Sequence, residues 1–221
     1  MAKVKLDYLS GAESFLDPLR SDADRPNEAK AVVSPYALEA SISYGGGTVK
    51  GPAAIMAASH QLELFDEELW REPYADYGIA ALKPPKVPRS VPKALDQLEG
   101  LVGAVLDLGK LPFVLGGEHS LTAGAIRPFA KRFQDLVVRS RAIGAEIAVL
   151  VDHVRRSGVY LDDCHRNVNA WCRANGRWSD AEASTVKRVG RFLADHPDVA
   201  AMALAGRVGT MQIERLARSR G

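Results

Sequence analysis

No stretch of this 221-residue chain comes near the roughly 18 consecutive apolar residues that a membrane-spanning helix needs, so no membrane partner is expected. The N-terminal MAKVKLDYLSGAESF has no apolar core of the secretory-leader kind, and the first strongly apolar block comes later. Cysteine is scarce. Cys164 and Cys172 lie eight apart, which fits no metal-ligand spacing with any neighbour, and a reducing cytoplasm is expected. Internal repeats and low-complexity stretches are absent too. Beyond residue 138 lysine and proline all but disappear, with Lys187 and Pro197 the sole examples.

What is present is an ordinary soluble composition, 47% hydrophobic and 25% charged. That is enough chain to bury a real core. The net charge of +2 hides a division. Residues 1–138 hold 15 basic and 18 acidic residues, whereas 139–221 hold 14 basic and 9 acidic ones. Thirteen of the later bases are arginine, while the first part favours lysine, nine to six. Such a shift predicts two regions of different character, 1–138 and 139–221.

Residues 1–29 are polar, of mixed charge, and read as an irregular lead-in. Ala31-Val32-Val33-Ser34 is a short apolar run before Pro35 and predicts a buried strand. A Gly-rich loop, Ser41-Ile42-Ser43-Tyr44-Gly45-Gly46-Gly47-Thr48, follows, then Gly51-Pro52 opens a helix expected to reach about Gln61. The proline-rich stretch 83–92 excludes a regular element. Leu95, Leu98, Leu101, Val102, Val105 and Leu106 recur at helical spacing and predict a helix over 93–108. Leu111 to Leu115 reads as a strand, ending in Gly116-Gly117. The order strand, helix, strand is that of an open α/β sheet, whose functional groups gather at the carboxyl ends of strands.

After Val138 the texture turns helical. Ile143, Ile147, Leu150, Val151 and Val154 predict one apolar face on a helix over 142–156. On that helix, Asp152 and His153 are expected at the surface. Helices are also predicted over 166–174, 180–194, 198–205 and 210–219. Ser179 with Glu182 offers a capping box, and Asp162 or Asp163 a helix cap that places His165 in the first turn.

The string Gly116-Gly117-Glu118-His119-Ser120 carries the most chemistry. Two glycines permit a sharp turn, and a His at the mouth of a sheet suits metal ligation through a neutral imidazole. The plainer alternative is a strand-to-helix turn whose His bonds only locally. This string, continued by Leu121-Thr122, resembles the first metal-binding motif of the arginase/agmatinase ureohydrolases. Ser43 to Thr48 with Gly51 to Ile55, and Glu63 to Leu69, look like other parts of the same N-terminal pattern. Order and spacing agree over about residues 30–138, most closely with agmatinase-type members.

The resemblance implies an arginase-like three-layer α/β fold and a binuclear manganese (Mn2+) site. Its bridging hydroxide attacks the carbon of a guanidino small molecule such as agmatine, giving putrescine and urea. It assigns His119 as one metal ligand. Three more would come from an Asp-x-His-x-Asp string just after Val138, and two from a later Asp-x-Asp string. This chain instead reads Arg139-Ser140-Arg141-Ala142-Ile143-Gly144, and no Asp-x-Asp follows. One His cannot hold two cations, so manganese binding is expected to be weak or absent, with no residue assigned a catalytic role. Asp163-Cys164-His165-Arg166-Asn167 imitates the missing string, but it opens a helix instead of ending a strand.

Residues 139–221 bear a second resemblance, to the helical domain that precedes HNH nuclease motifs in actinobacterial proteins. It rests on Gly158 to Asp163, His165 to Trp171, Trp178 to Ala183 and Leu193 to Ala200 with Ala205 to Gly209; the HNH motif itself is absent. Trp171 and Trp178 are expected in the cores of small helices. The expectation is therefore a chimera: a truncated ureohydrolase region with an incomplete parallel sheet, then an all-α, Arg-rich segment. Sheet strands are expected near 31–34, 112–116 and 135–138, and helices near 51–60, 93–108 and 120–132. Such a sheet would keep an open edge. The alternative function is a non-enzymatic helical module binding nucleic acid or a protein partner through residues 139–221, where the arginine excess suits phosphate backbones, a solvated basic face being the plainer reading. Oligomeric state is left open.

Overall fold

The structure, a computed structural model, describes residues 4–20, 22, 25–41 and 43–219. Ile42 of the Gly-rich loop, and the lead-in residues 1–3, 21, 23 and 24, lie outside them. The chain divides into two compact units, Met1–Lys131 and Arg132–Gly221.

The first unit contains β1 (Ala31–Tyr36), α1 (Gly51–Ser59), α2 (Tyr74–Tyr77), β2 (Ile79–Ala81), α3 (Val91–Asp107) and β3 (Leu111–Gly116). The strands form one parallel sheet in the order β2-β1-β3. The register sets Ala31 beside both Ile79 and Leu111, and Tyr36 beside Gly116. As the middle strand, β1 is buried along its whole length, which suits its near-continuous apolar sequence.

Alternate residues of β1 serve opposite faces of the sheet. Tyr36 meets Ala94, Leu98 and Val102 of α3, and Val32 packs with Val105. Val33 faces the other way, toward Met56 of α1 and Ala81. The Tyr36 hydroxyl lies 2.6 Å from the Ala94 carbonyl and 2.9 Å from Gln97 Oε1, and burial pushes its pKa up to about 12. Strand β2 has no sequence signal, because Ala80 and Ala81 are poor strand formers. It exists by pairing with β1 and, on its other side, with the lead-in. There Leu9 N donates to Ala81 O at 2.8 Å and Lys83 N to Asp7 O at 2.8 Å.

The expected strand at 135–138 is not formed. A short 3-10 turn, His119–Leu121, leads into α4 (Thr122–Ser157), a continuous helix of 36 residues. Asp135-Leu136-Val137-Val138 lies within it, with Leu136 and Val138 exposed. No glycine or proline falls between Phe129 and Ile143 to end a helix, so helical continuity overrides the local β-branched pair.

The second unit takes most of α4, then α5 (Val159–Asp162), α6 (Val168–Gly176), α7 (Asp180–Asp195), α8 (Pro197–Leu204) and α9 (Thr210–Ser219). The α4 face it buries differs from the expected one. Ala145, Ala148, Val151 and Val154 are buried, whereas Ile143 and Leu150 are exposed. Close helix packing explains the change. A Cβ placed on Gly190 of α7 would come within 2.2 Å of the Ala148 carbonyl, so only small side chains fit at this crossing. Trp171 and Trp178 are partly buried against Val151, Val168, Cys172 and Ala183. Ser179 and Glu182 form the anticipated capping box.

Two expectations here are corrected. Asp152 is buried, not at the surface; its carboxylate pairs with Arg155 and Arg156, each at 2.8 Å, while His153 is exposed. The α6 cap is Asn167, not Asp162 or Asp163, with Asn167 Oδ1 accepting from Ala170 N at 2.9 Å. Asn167 is extended, so its side chain can reach back to that amide.

Candidate functional site

The carboxyl ends of β1 and β3 meet at the Gly116-Gly117-Glu118-His119-Ser120 turn. Gly117 is needed for the close approach of the two chains, whereas Gly116 meets only a side chain of its own turn. A Cβ on Gly117 would fall 2.1 Å from the Leu38 carbonyl, and one on Gly116 would fall 2.3 Å from Leu121 Cδ2. The chain leaving β1 therefore runs directly against the chain leaving β3. Gly117 N donates to Tyr36 O at 3.2 Å, and Glu118 N to Leu38 O at 2.8 Å.

Glu118 ties the two loops together. Its buried carboxylate accepts from Ala40 N and Ser41 N, both at 2.6 Å, from Ser41 Oγ at 2.7 Å and from Ser120 Oγ at 2.5 Å. The Ser120 and Ser41 hydroxyls, with the loop amides, hold the Glu118 pKa down to about 2, because every one of these donors favours the charged form. A second carboxylate, Glu39, accepts from Gly47 N at 2.7 Å, Thr48 Oγ1 at 3.0 Å and Val49 N at 2.9 Å. Its pKa is lowered, first by the Val49 and Gly47 amides. Gly45 and Gly47 take left-handed conformations here, at φ 59° and 119°, which glycine adopts without strain. Two carboxylates thus fix the Gly-rich loop, Glu39 from just before it and Glu118 from the turn after β3. Sequence reasoning missed both: the Glu118 pairing joins residues 77 apart, and the Glu39 bonds depend on how the Gly-rich loop folds back.

His119 opens the 3-10 turn beside this clamp, exposed at the carboxyl end of β3. The neighbouring Glu118 oxygens are already taken by four donors. Among the described residues no three His, Cys, Asp or Glu side chains gather where they could hold a metal ion. Asp163 and His165 do approach one another, at 3.7 Å, but within the second unit. The donor set at His119, one imidazole with no free carboxylate, does not fit a pair of manganese ions. Five of the arginines beyond residue 138 are bound to carboxylates: Arg155 and Arg156 to Asp152, Arg173 to Asp180, and Arg188 and Arg218 to Glu214. No helix among the described residues is long and apolar enough to cross a membrane.

These features define an α/β protein with a parallel sheet and a conformationally fixed His-bearing turn at its carboxyl edge. Residues 29–149 match the Arginase family, and the chain belongs to that family. It is 38% identical over 128 residues to the N(1)-aminopropylagmatine ureohydrolase of Synechocystis, covering 54% of this chain and 40% of that protein. It is 34% identical over 115 residues to the agmatinase of Bacillus anthracis, covering 50% and 38%. Of solved structures, the agmatine ureohydrolase of Thermoplasma volcanium aligns with a TM-score of 0.46 at 32% identity, covering 52% of this chain and 38% of that one. The chain thus spans about two-fifths of the length of the curated relatives it matches.

Proposed function

We propose that this chain descends from a ureohydrolase acting on a guanidino substrate such as agmatine, and that in its present form it does not hydrolyse one. The observation that carries the reading is the fixed Gly116-Gly117-Glu118-His119-Ser120 turn, inside the matched region, with a lone imidazole on it. Where the family pattern calls for an Asp-x-His-x-Asp string, this chain has Arg139-Ser140-Arg141 within a helix. The family is generally manganese-dependent, and His119 is the residue we assign to that metal. A single neutral imidazole binds a hard divalent cation weakly, because such ions favour several oxygen ligands. A cytoplasmic setting accords with Cys164 and Cys172 both being free thiols.

Calorimetric titration with manganese tests the reading. The expected result is no tight binding, with any weak heat diminished by His119→Ala. Two tightly held ions per chain, lost on His119→Ala, would overturn it.

A further inference from the structure

Helix α4 carries a second apolar face that its own unit does not use. The second unit takes Ala145, Ala148 and Val151 into its core and leaves a stripe of larger side chains open. Phe133, Leu136, Ile143 and Leu150 are 68%, 54%, 55% and 55% exposed, and Ile147 is only partly buried. With Ser140 between them, these residues stand at 133, 136, 140, 143, 147 and 150, all within Arg132–Gly221. Steps of three and four alternate without a break, which is the seam of a coiled coil. Phe133, Ser140 and Ile147 hold the first position of successive heptads, and Leu136, Ile143 and Leu150 the fourth. The seam is about 26 Å long at 1.5 Å per residue. Its helix is already folded against its own unit, so a partner would not have to order it.

We propose that this seam pairs with the same seam of a second copy of the chain, antiparallel, about a two-fold axis level with the Arg141–Ala142 peptide. In an antiparallel pair each first-position residue packs opposite a fourth-position residue. Phe133 then meets the second copy's Leu150, Leu136 its Ile147, and Ser140 its Ile143, and the two-fold repeats each layer. Charge selects both the occupant and the register. The residue that precedes each first position flanks the seam and faces its counterpart on the other helix. Arg139 therefore faces the second copy's Glu146, and Glu146 faces its Arg139; both side chains are exposed. Sliding by one heptad in either direction sets Arg139 against Arg139 or Glu146 against Glu146, like charges in contact. A parallel pair would place Gly144 opposite Arg139 and Val151 opposite Glu146, leaving both charges unmatched. The stripe is thus its own complement in one orientation and one register, as a two-fold interface must be.

Light-scattering mass of the full chain on a sizing column, at tens of micromolar, tests the pairing. The parent should run at twice 23.9 kDa. Leu136→Lys sets a charge in the seam and should halve that mass. The far-ultraviolet circular dichroism should not change, because Leu136 is exposed in the single chain. Orientation and register are read by charge reversal, with sedimentation giving the dissociation constant of the dimer. Arg139→Glu and Glu146→Arg should each raise that constant about tenfold, since two attractive pairs become repulsive. The two reversals combined should return it to the parent value. A parent that is monomeric, or that grows into open-ended aggregates, overturns the proposal. So does a dimer that survives Leu136→Lys, that ignores the single reversals, or that the combined reversal fails to restore.

Discussion

Ser41 donates to Glu118 twice, from its amide at 2.6 Å and from its hydroxyl at 2.7 Å, across 77 residues of chain. This pair joins the loop leaving β1 to the turn leaving β3. Glu118→Ala leaves the amides of Ala40 and Ser41 without their acceptor, and should destabilise the first unit by about 2 kcal/mol, the scale of a lost bond to a buried charge. Chemical denaturation gives the magnitude, and amide exchange at Ala40 and Ser41 should rise.

The same carboxylate predicts an acid response. Its pKa falls from the ordinary 4.5 to about 2 on folding. The unfolded state therefore binds its proton first, so the stabilisation is complete above about pH 4.5 and fades as pH drops toward 2. Thermal melts across that window should show a fall that is shallower in Glu118→Gln. An equal fall in both proteins would exclude Glu118 as a contributor.

Gly190 should not tolerate a side chain. A Cβ there meets the Ala148 carbonyl at 2.2 Å and Asp152 Cβ at 3.0 Å, neither of which can swing aside. Gly190→Ala should lower the stability of the second unit by about 1–3 kcal/mol, the usual range for overpacking. The gain in helix propensity on replacing glycine, about 1 kcal/mol, is too small to reverse the sign. Urea denaturation followed by circular dichroism decides the sign.

Ser179→Ala removes the cap of α7. Ser179 Oγ accepts from Glu182 N at 3.2 Å, and Glu182 Oε2 accepts from Ser179 N at 2.7 Å. A loss of about 1 kcal/mol is expected, and Ser179→Asp should recover most of it. A variant as stable as the parent would remove the capping box from the account.

Local physics made much of this legible in the sequence. The Ser179–Glu182 box, the Gly51-Pro52 helix start and the leucine spacing of α3 are each written in adjacent residues, and each is present. The family resemblance is likewise carried by neighbours in the chain, Gly116 to Ser120. Errors fell where helical continuity, backbone conformation or a distant partner decides. Val137-Val138 reads as a strand but continues a helix that nothing interrupts. Asp152 reads as a surface acid until Gly190 brings α7 close enough to bury it. Asn167 outcompetes Asp162 and Asp163 as a cap because its backbone, not its type, is in the right conformation. Glu118 and Glu39 organise the candidate site through loop amides that no sequence spacing marks.

Urea release from agmatine tests the central claim most directly. With excess manganese, the purified chain should release no urea above a control without protein, because one imidazole supplies neither a tight metal pair nor the carboxylates that position a substrate. Urea formed at a rate that persists through removal of contaminating hydrolases, and that falls on His119→Ala, would contradict the account.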